Sequence, residues 1–272
     1  MKLIDSHAHL QFKAYDPDRE EVIKRNLQEL AAIINVGADL DSSRKAVELT
    51  KQYDGLYAAI GIHPHHTNQW DGTTFSTLET LANNEKVVAV GEIGLDNHEY
   101  IGYPKPDLNA QSKILHQQIE LAIKLKLATV FHCRDAYDEL YEQVKKYEGK
   151  ITGVVHCFMG NMEQAARFLD LGLEISFTGN ITYKNNSYIR DVAAQVPEDR
   201  ILIETDAPYL PPEDIRGEPA SPAWTRGRPH RGERNEPRYV KIVAEKIAEI
   251  RDLSFEEMSL SFVSNTKKIF KL

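Results

Sequence analysis

The chain has 272 residues, of which 42% are hydrophobic and 27% charged, which is the composition of a folded globular protein with room for a large core. Its formal net charge of −8 argues against a protein that coats DNA through bulk positive charge, although a local basic loop or metal ions could still hold a nucleic acid. Two distant cysteines, no secretory signal and no apolar run of about 18 residues predict a cytoplasmic protein without a membrane segment.

Strand-like and helix-like segments alternate along the sequence. Short apolar segments typical of buried parallel strands lie at residues 2–6, 33–36, 56–62, 87–93, 128–132, 152–157, 173–177 and 201–205. Helices are predicted at 17–32, 39–53, 75–82, 109–126, 136–147, 162–171 and 187–195, and two more at 238–250 and 255–270. About eight such units predict an α/β protein with one domain, 1–272, folded as a (β/α)8 TIM barrel.

Metal-binding side chains stand at the C-terminal ends of these strands. His7 and His9 end the first strand, and because side chains two residues apart share a face, they can grip one divalent cation. One such pair is weak evidence for a metal site, but five segments carry metal-binding side chains at their C-terminal ends. The six side chains are His7, His9, Glu92, His132, His156 and Asp206. In a barrel these ends meet at one rim, where such enzymes have their active sites.

Four imidazoles and two carboxylates suit two divalent cations better than one, because a catalytic zinc needs only about three protein ligands. The set predicts a metal-dependent hydrolase. Glu92 could bridge the two ions. Asp206 could bind one ion and also accept a proton from the attacking water. Glu92 and Asp206 are therefore the candidate catalytic residues.

Motifs in a fixed order connect these residues to a known family. They read IDSHAH (4–9), GIHPH (61–65), GEIGLD (91–96), HCRDA (132–136), HCF (156–158), ETDAPYL (204–210), and RG (231–232) followed by NEP (235–237). The chain resembles the TatD family of metal-dependent deoxyribonucleases, within the amidohydrolase-like superfamily. The resemblance implies a (β/α)8 barrel with a divalent-metal site that cleaves DNA phosphodiester bonds, often from the 3′ end.

The resemblance also implies a role for each ligand. His7, His9 and Asp206 would bind one ion, His132 and His156 the other, and Glu92 would lie between them. Imidazole ligands favour zinc or manganese, while the family is commonly used with magnesium, so the identity of the two ions stays open. The expected substrate is DNA with single-stranded or frayed 3′ ends, and we expect a monomer.

Candidate substrate contacts lie on the same rim. They are His63, His65, Arg134 and Arg231. For His63, hydrogen bonds that stabilise the turn are an equal alternative. The segment from Arg226 to Arg238 holds five arginines, which suit phosphate groups, although a solvated loop with internal ion pairs is the alternative for each of them. Loops 97–108 and 218–230 depart from the family pattern, and Glu233 stands where lysine is usual, so substrate choice is open.

Neighbours of the ligands have predicted roles as well. Asp5 and Glu204 lie two residues before a ligand and could support it, and Asp96 could orient a ligand or touch substrate. Cys133 and Cys157 each follow a ligand histidine, so strand alternation should turn them away from the site as buried hydrophobic groups.

Two other functions remain open at this point. The same metal site can activate water toward a carbonyl carbon, which would give a hydrolase of amides, lactones or phosphotriesters. Many such relatives bridge their ions with a modified lysine, whereas this chain offers Glu92. The second is a non-catalytic nucleic-acid-binding scaffold with a structural metal, but six ligands exceed what a structural site requires.

Overall fold

The sheet of this protein contains eight parallel strands in sequential order. The computed structural model describes residues 1–99, 107–216 and 234–272. The strands are β1 (Ile4–Ala8), β2 (Ala32–Val36), β3 (Leu56–Ile60), β4 (Val87–Asp96), β5 (Ala128–Arg134), β6 (Gly153–Val155), β7 (Glu174–Phe177) and β8 (Ile201–Ile203). A bridge between Ala8 and Ala207 joins the two ends of the sheet, which confirms the predicted (β/α)8 barrel.

Helices follow the strands and cover the outside of the barrel. They are α1 (Arg19–Glu29), α2 (Leu40–Gln52), α3 (Thr74–Leu81), α4 (Leu108–Leu125), α5 (Tyr137–Val144), α6 (Met162–Asp170), α7 (Ser187–Gln195), α8 (Glu213–Arg216), α9 (Val240–Arg251) and α10 (Phe255–Phe270). Side chains of Asp39, Asn161 and Ser254 cap α2, α6 and α10 by accepting hydrogen bonds from the first-turn backbone. Among the described residues, no helix combines the length and apolar character needed to cross a bilayer.

Two apolar clusters fill the molecule, because successive side chains of a strand point to opposite faces. The larger cluster lies where strands meet helices and includes Ile33, Phe131 and Ile175. The smaller one joins alternate residues such as Ile34, Val130 and Leu202 to Ile269 and Phe270 at the end of α10. The extent of the domain, 1–272, stays a prediction.

Several predicted boundaries were wrong. The helix predicted at 17–32 is α1, which begins at Arg19, and Ala32 belongs to β2. Strands β4 and β5 are longer than predicted, because their pairing continues to Asp96 and Arg134. In contrast, β6 and β8 end early, so His156 and Asp206 follow their strands instead of belonging to them. Cys157 and Asp206 have φ angles of 46° and 55°, which are incompatible with a strand.

Gly94 lets β4 approach β5 beside His132. Its φ is 153°, and a Cβ atom there would lie 1.9 Å from the carbonyl oxygen of His132. We expect Gly94→Ala to lower the free energy of unfolding by about 3 kcal/mol, because backbone atoms must move to relieve this clash.

Urea denaturation monitored by circular dichroism measures this change. Gly72→Ala is the control, because a Cβ at Gly72 meets nothing within 4 Å, and its effect should be within about 0.5 kcal/mol. Equal stability of the two variants would contradict the prediction.

Candidate metal centre

The first group of ligands comes from the two ends of the chain. His7 is in β1, His9 directly follows that strand, and Asp206 lies three residues after the end of β8. Their facing atoms are close together: His7 Nε2 lies 3.1 Å from His9 Nε2 and 3.8 Å from Asp206 Oδ1, and His9 Nε2 lies 3.2 Å from the same oxygen. These three side chains can therefore hold one cation.

The second group lies beside the first and comes from β4, β5 and the end of β6. Glu92 Oε1 is 2.8 Å from His132 Nδ1 and 2.7 Å from His156 Nε2. The two imidazole nitrogens are 3.4 Å apart. Glu92, His132 and His156 can thus hold a second cation.

Glu92 lies between the two groups. While its Oε1 faces His132 and His156, its Oε2 is 3.6 Å from His7 Nε2 and 3.9 Å from His9 Nε2. Ligands around a tetrahedral cation with bonds of about 2.0–2.1 Å are about 3.4 Å apart, and the separations here, from 2.7 Å to 3.9 Å, lie on both sides of that value. The carboxylate of Glu92 presents one oxygen to each group.

The hydrogen bonds of the outer imidazole nitrogens determine which nitrogens face the centre. His9 Nδ1 donates to the carbonyl oxygen of Val36 at 2.6 Å. His132 Nε2 donates to Asp96 Oδ2 at 3.1 Å, and His156 Nδ1 donates to Glu204 Oε1 at 3.3 Å. A neutral imidazole has one N–H, so the opposite nitrogen of each ring directs a lone pair inward, as in metal-binding histidines.

His7 provides an independent test of whether these residues suit a metal ion. Its Nδ1 is buried without a hydrogen-bond partner in the described part of the chain, and its Nε2 faces Nε2 of His9. Two nitrogen atoms 3.1 Å apart repel each other unless a proton or a cation lies between their lone pairs. The donor set of imidazoles and carboxylates fits divalent transition metals.

Both carboxylates are anionic at neutral pH. Burial opposes the ionisation of Glu92, but the surrounding imidazoles outweigh it and hold its pKa well below the ordinary value. Burial likewise opposes the ionisation of Asp206, and the contact with His9 outweighs it and lowers its pKa. Burial lowers the pKa of His7, which keeps its imidazole neutral. Burial opposes the protonation of His9, His132 and His156, but nearby carboxylates outweigh it and raise the pKa of these imidazoles. A cation that binds here therefore displaces protons from these rings.

The chain is similar to known proteins over nearly its whole length. A family model described as TatD related DNase matches residues 4–271. The chain belongs to this family. It is 37% identical over 272 residues to the uncharacterized metal-dependent hydrolase YabD of Bacillus subtilis, with 99% of each chain covered. It is 32% identical over 274 residues to a protein of Erwinia billingiae named 3′-5′ ssDNA/RNA exonuclease TatD, again with 99% of each covered.

A solved structure supports the same assignment. The TatD homologue YjjV of Escherichia coli superposes with a TM-score of 0.86 at 30% identity, covering 99% of this chain and 98% of that one. This chain is therefore a metal-dependent hydrolase of the TatD family with a barrel fold.

A third cluster extends the site of this TatD-family protein. Asp96 Oδ2 accepts hydrogen bonds from His132 Nε2 and from His65 Nε2 at 2.9 Å, a position from which Asp96 can orient His132. His63 Nδ1 accepts a hydrogen bond from the backbone N–H of His65 at 3.1 Å, which places the proton of the neutral ring on Nε2. Burial lowers the pKa of His63 well below its ordinary value. Its Nε2 lies 3.6 Å from Glu92 Oε1, so His63 is a neutral donor at the edge of the centre.

The other predicted substrate contacts have different positions. His65 is 39% exposed and Arg134 is exposed at the end of β5. Arg231 lies outside the described residues, as do Glu233 and most of the segment from Arg226 to Arg238. Arg234 Nη1 and Nη2 donate to the two carboxylate oxygens of Asp18 at 2.7 and 2.6 Å, so this arginine forms the internal ion pair that was the alternative.

The contacts of the residues next to the ligands match only some of the roles predicted for them. Glu204 contacts His156 as expected, but Asp5 contacts Thr205 and the backbone of His7 instead of an imidazole. Cys133 is buried, whereas Cys157 is half-buried, with its Sγ 3.6 Å from Thr178 Oγ1. Burial raises the pKa of both thiols well above the ordinary value, so neither is a thiolate nucleophile.

Two glutamines of α4 support the rim and were missed in the sequence. Gln118 accepts from Ile62 N at 2.7 Å and donates to Ile62 O at 3.0 Å, which fixes the backbone before His63. Gln111 does the same for Asp96 N and O, at 2.8 and 3.0 Å. Both residues are buried and seven positions apart, on the apolar face of α4. Polar residues at that spacing on a buried helix face are the signal that could have revealed them.

Proposed function

We propose that this protein is a two-metal phosphodiesterase that hydrolyses DNA as a 3′-5′ exodeoxyribonuclease, with a preference for single-stranded or frayed 3′ ends. The observation that carries the proposal is the position of Glu92, with one carboxylate oxygen toward each group of ligands. Two cations held in this way suit in-line displacement at phosphorus. The exonuclease name of a relative at 32% identity supports the substrate class.

Each ion has its own set of ligands in this proposal. His7, His9 and Asp206 would hold the first ion, and His132 and His156 would hold the second, with Glu92 between the two sets. We refer to these sets as the first and second centres. Magnesium, manganese and zinc all suit divalent sites of this kind. When bound, the ions polarise a phosphoryl oxygen and make water a stronger nucleophile.

The side chains around the two centres position the reacting groups. Asp206 is the more open of the two carboxylates, with 15% of its side chain exposed against 6% for Glu92. It therefore acts as the general base that accepts the proton of the attacking water. The Nε2–H of His63 donates to a non-bridging phosphate oxygen, and Arg134 and His65 contact the nucleic acid farther out on the rim. Arg231 is proposed as a further phosphate contact.

Digestion of end-labelled oligonucleotides tests this function. Purified protein is incubated with 3′- and 5′-labelled single-stranded DNA, duplex DNA and RNA, with and without chelator, and products are resolved at nucleotide resolution. We expect stepwise shortening from the 3′ end of single-stranded DNA, loss of activity after chelation, and recovery with added Mg²⁺ or Mn²⁺. His132→Ala should be inactive.

His116→Ala is the matched control, because His116 lies on α4 and contacts Tyr147 and Gln143 instead of the site. Its activity should equal that of the unmodified chain. Turnover that survives both chelation and His132→Ala would refute the proposal. Hydrolysis of cyclic amides or esters without cleavage of DNA would favour the carbonyl hydrolase, and DNA binding without turnover would favour the scaffold. The cytoplasmic location and the monomeric state stay predictions.

A further inference from the structure

The first and last strands of the barrel are joined differently from the other strands. Neighbouring strands from β1 to β8 form parallel ladders, whereas in the described part of the chain the backbones at the ends of β1 and β8 pair through one isolated bridge, Ala8 with Ala207. Two backbone hydrogen bonds join them at the rim: Asp206 N donates to His7 O at 2.9 Å, and His9 N donates to Ala207 O at 2.7 Å. We call this junction the seam.

Side chains complete the seam below the rim. Asp5 Oδ1 accepts from Thr205 N at 2.9 Å and from His7 N at 3.2 Å, and Asp5 Oδ2 accepts from Thr205 Oγ1 at 2.5 Å. Ser6 Oγ donates to Ile203 O at 2.9 Å. Asp5 and Thr205 are almost completely buried, so water does not compete for these bonds. One carboxylate thus holds the backbone next to ligands on both sides of the seam.

The seam separates the ligands of the first centre. His7 and His9 are on one side and Asp206 is on the other. The backbone of Asp206 has a φ of 55°, a conformation that non-glycine residues rarely adopt. Thr205 restrains both sides of Asp206, because its own N–H is bound to Asp5 and its Oγ1 accepts from Ala207 N at 3.2 Å.

The backbone that joins the ligands of the second centre does not cross the seam, although His156 Nδ1 donates to Glu204 Oε1, next to Thr205. His132 belongs to β5, and β5 pairs with β6 over three consecutive residue pairs that lead up to His156. His156 N also donates to Phe131 O at 2.9 Å. A regular ladder therefore fixes the distance between His132 and His156, and neither Asp5 nor Thr205 contributes to it.

We propose that Asp5 and Thr205 are positioning residues that hold the two halves of the first centre at ligand distance, so that metal affinity at this centre, and not at the second, depends on their contact. The inference rests on the proposed two-centre site. It does not require either residue to touch substrate or metal.

Metal titration in two backgrounds tests this selectivity. His132→Ala disables the second centre and leaves His7, His9 and Asp206, whereas His7→Ala disables the first. Thr205→Val, which keeps the shape of the side chain and removes the hydroxyl, is added to each background, and Mn²⁺ binding is measured by isothermal titration calorimetry. We expect at least about tenfold weaker binding in the His132→Ala background and less than about twofold change in the His7→Ala background.

Thr205→Ser is the matched control, because serine keeps the hydroxyl, and it should restore the affinity. Asp5→Asn, measured in the same two backgrounds, gives a second test should Thr205→Val fail to fold, as judged by circular dichroism. Equal weakening in both backgrounds, or no weakening in either, overturns the inference. Absence of Mn²⁺ binding by the unmodified chain would instead refute the proposed function.

Discussion

Glu92→Gln is expected to abolish measurable nuclease activity, with a loss of about 10³-fold or more in kcat, which corresponds to about 4 kcal/mol. Glu92 Oε1 lies 2.8 Å from His132 Nδ1, and Oε2 faces His7 and His9. Glutamine removes the negative charge and replaces one oxygen by an amide nitrogen, which cannot bind a cation. One centre therefore loses its Glu92 ligand, and both centres lose the negative charge of this carboxylate.

The rate with 3′-labelled single-stranded DNA and the Mn²⁺ content of the dialysed protein measure this effect. Glu85→Gln is the control, because Glu85 is exposed just before β4, and the control should keep full activity and metal. The Glu92→Gln variant should also keep its fold, since glutamine has nearly the same shape as glutamate. A Glu92→Gln protein that retains two Mn²⁺ ions and a tenth or more of the activity would refute the bridging role.

Asp206→Asn should lower kcat by about 10²–10⁴-fold, the usual contribution of a positioned general base. Asparagine removes the proton acceptor and weakens the first centre, while His132 and His156 still bind the second ion. The substitution thus lowers the rate in two ways, through loss of the proton acceptor and through weaker metal binding. Varying the Mn²⁺ concentration separates these two effects. Excess Mn²⁺ should refill the first centre without restoring the rate.

Single-turnover rates at increasing Mn²⁺ concentration, together with titration calorimetry, provide the measurement. Asp170→Asn is the control, because Asp170 is exposed at the end of α6 and should have no effect. Full recovery of the rate by Mn²⁺ would mean that Asp206 is only a ligand. The proton would then be accepted by another group.

The barrel and the convergence of its ligands could be predicted because they depend on patterns that are local in the sequence. Short apolar segments alternate with helical ones, so the order of the strands and the approximate position of each C-terminal end can be read from the sequence. His7, Glu92, His132 and Asp206 were identified from their places in such segments, and the structure brings them together. Strand ends were less accurate, because the left-handed backbone of Cys157 and Asp206 depends on contacts made after folding.

Other features depend on partners that are distant in sequence. Arg234 appeared as one of several rim arginines, but it pairs with Asp18, which is 216 residues away. Asp5 seemed to be a supporter of a ligand imidazole, yet its main partner is Thr205, 200 residues away. The roles of Gln111 and Gln118 depend on which strand ends lie beside α4. Charge counts and periodicity contain no information about such pairs.

The separation of the first centre across the seam has a consequence for protein synthesis. His7 and His9 are synthesised almost 200 residues before Asp206. A nascent or prematurely terminated polypeptide that ends before Asp206 lacks a complete first centre, although it already contains Glu92, His132 and His156. Under the two-ion proposal, such an incomplete polypeptide would therefore be unable to assemble the two-ion site.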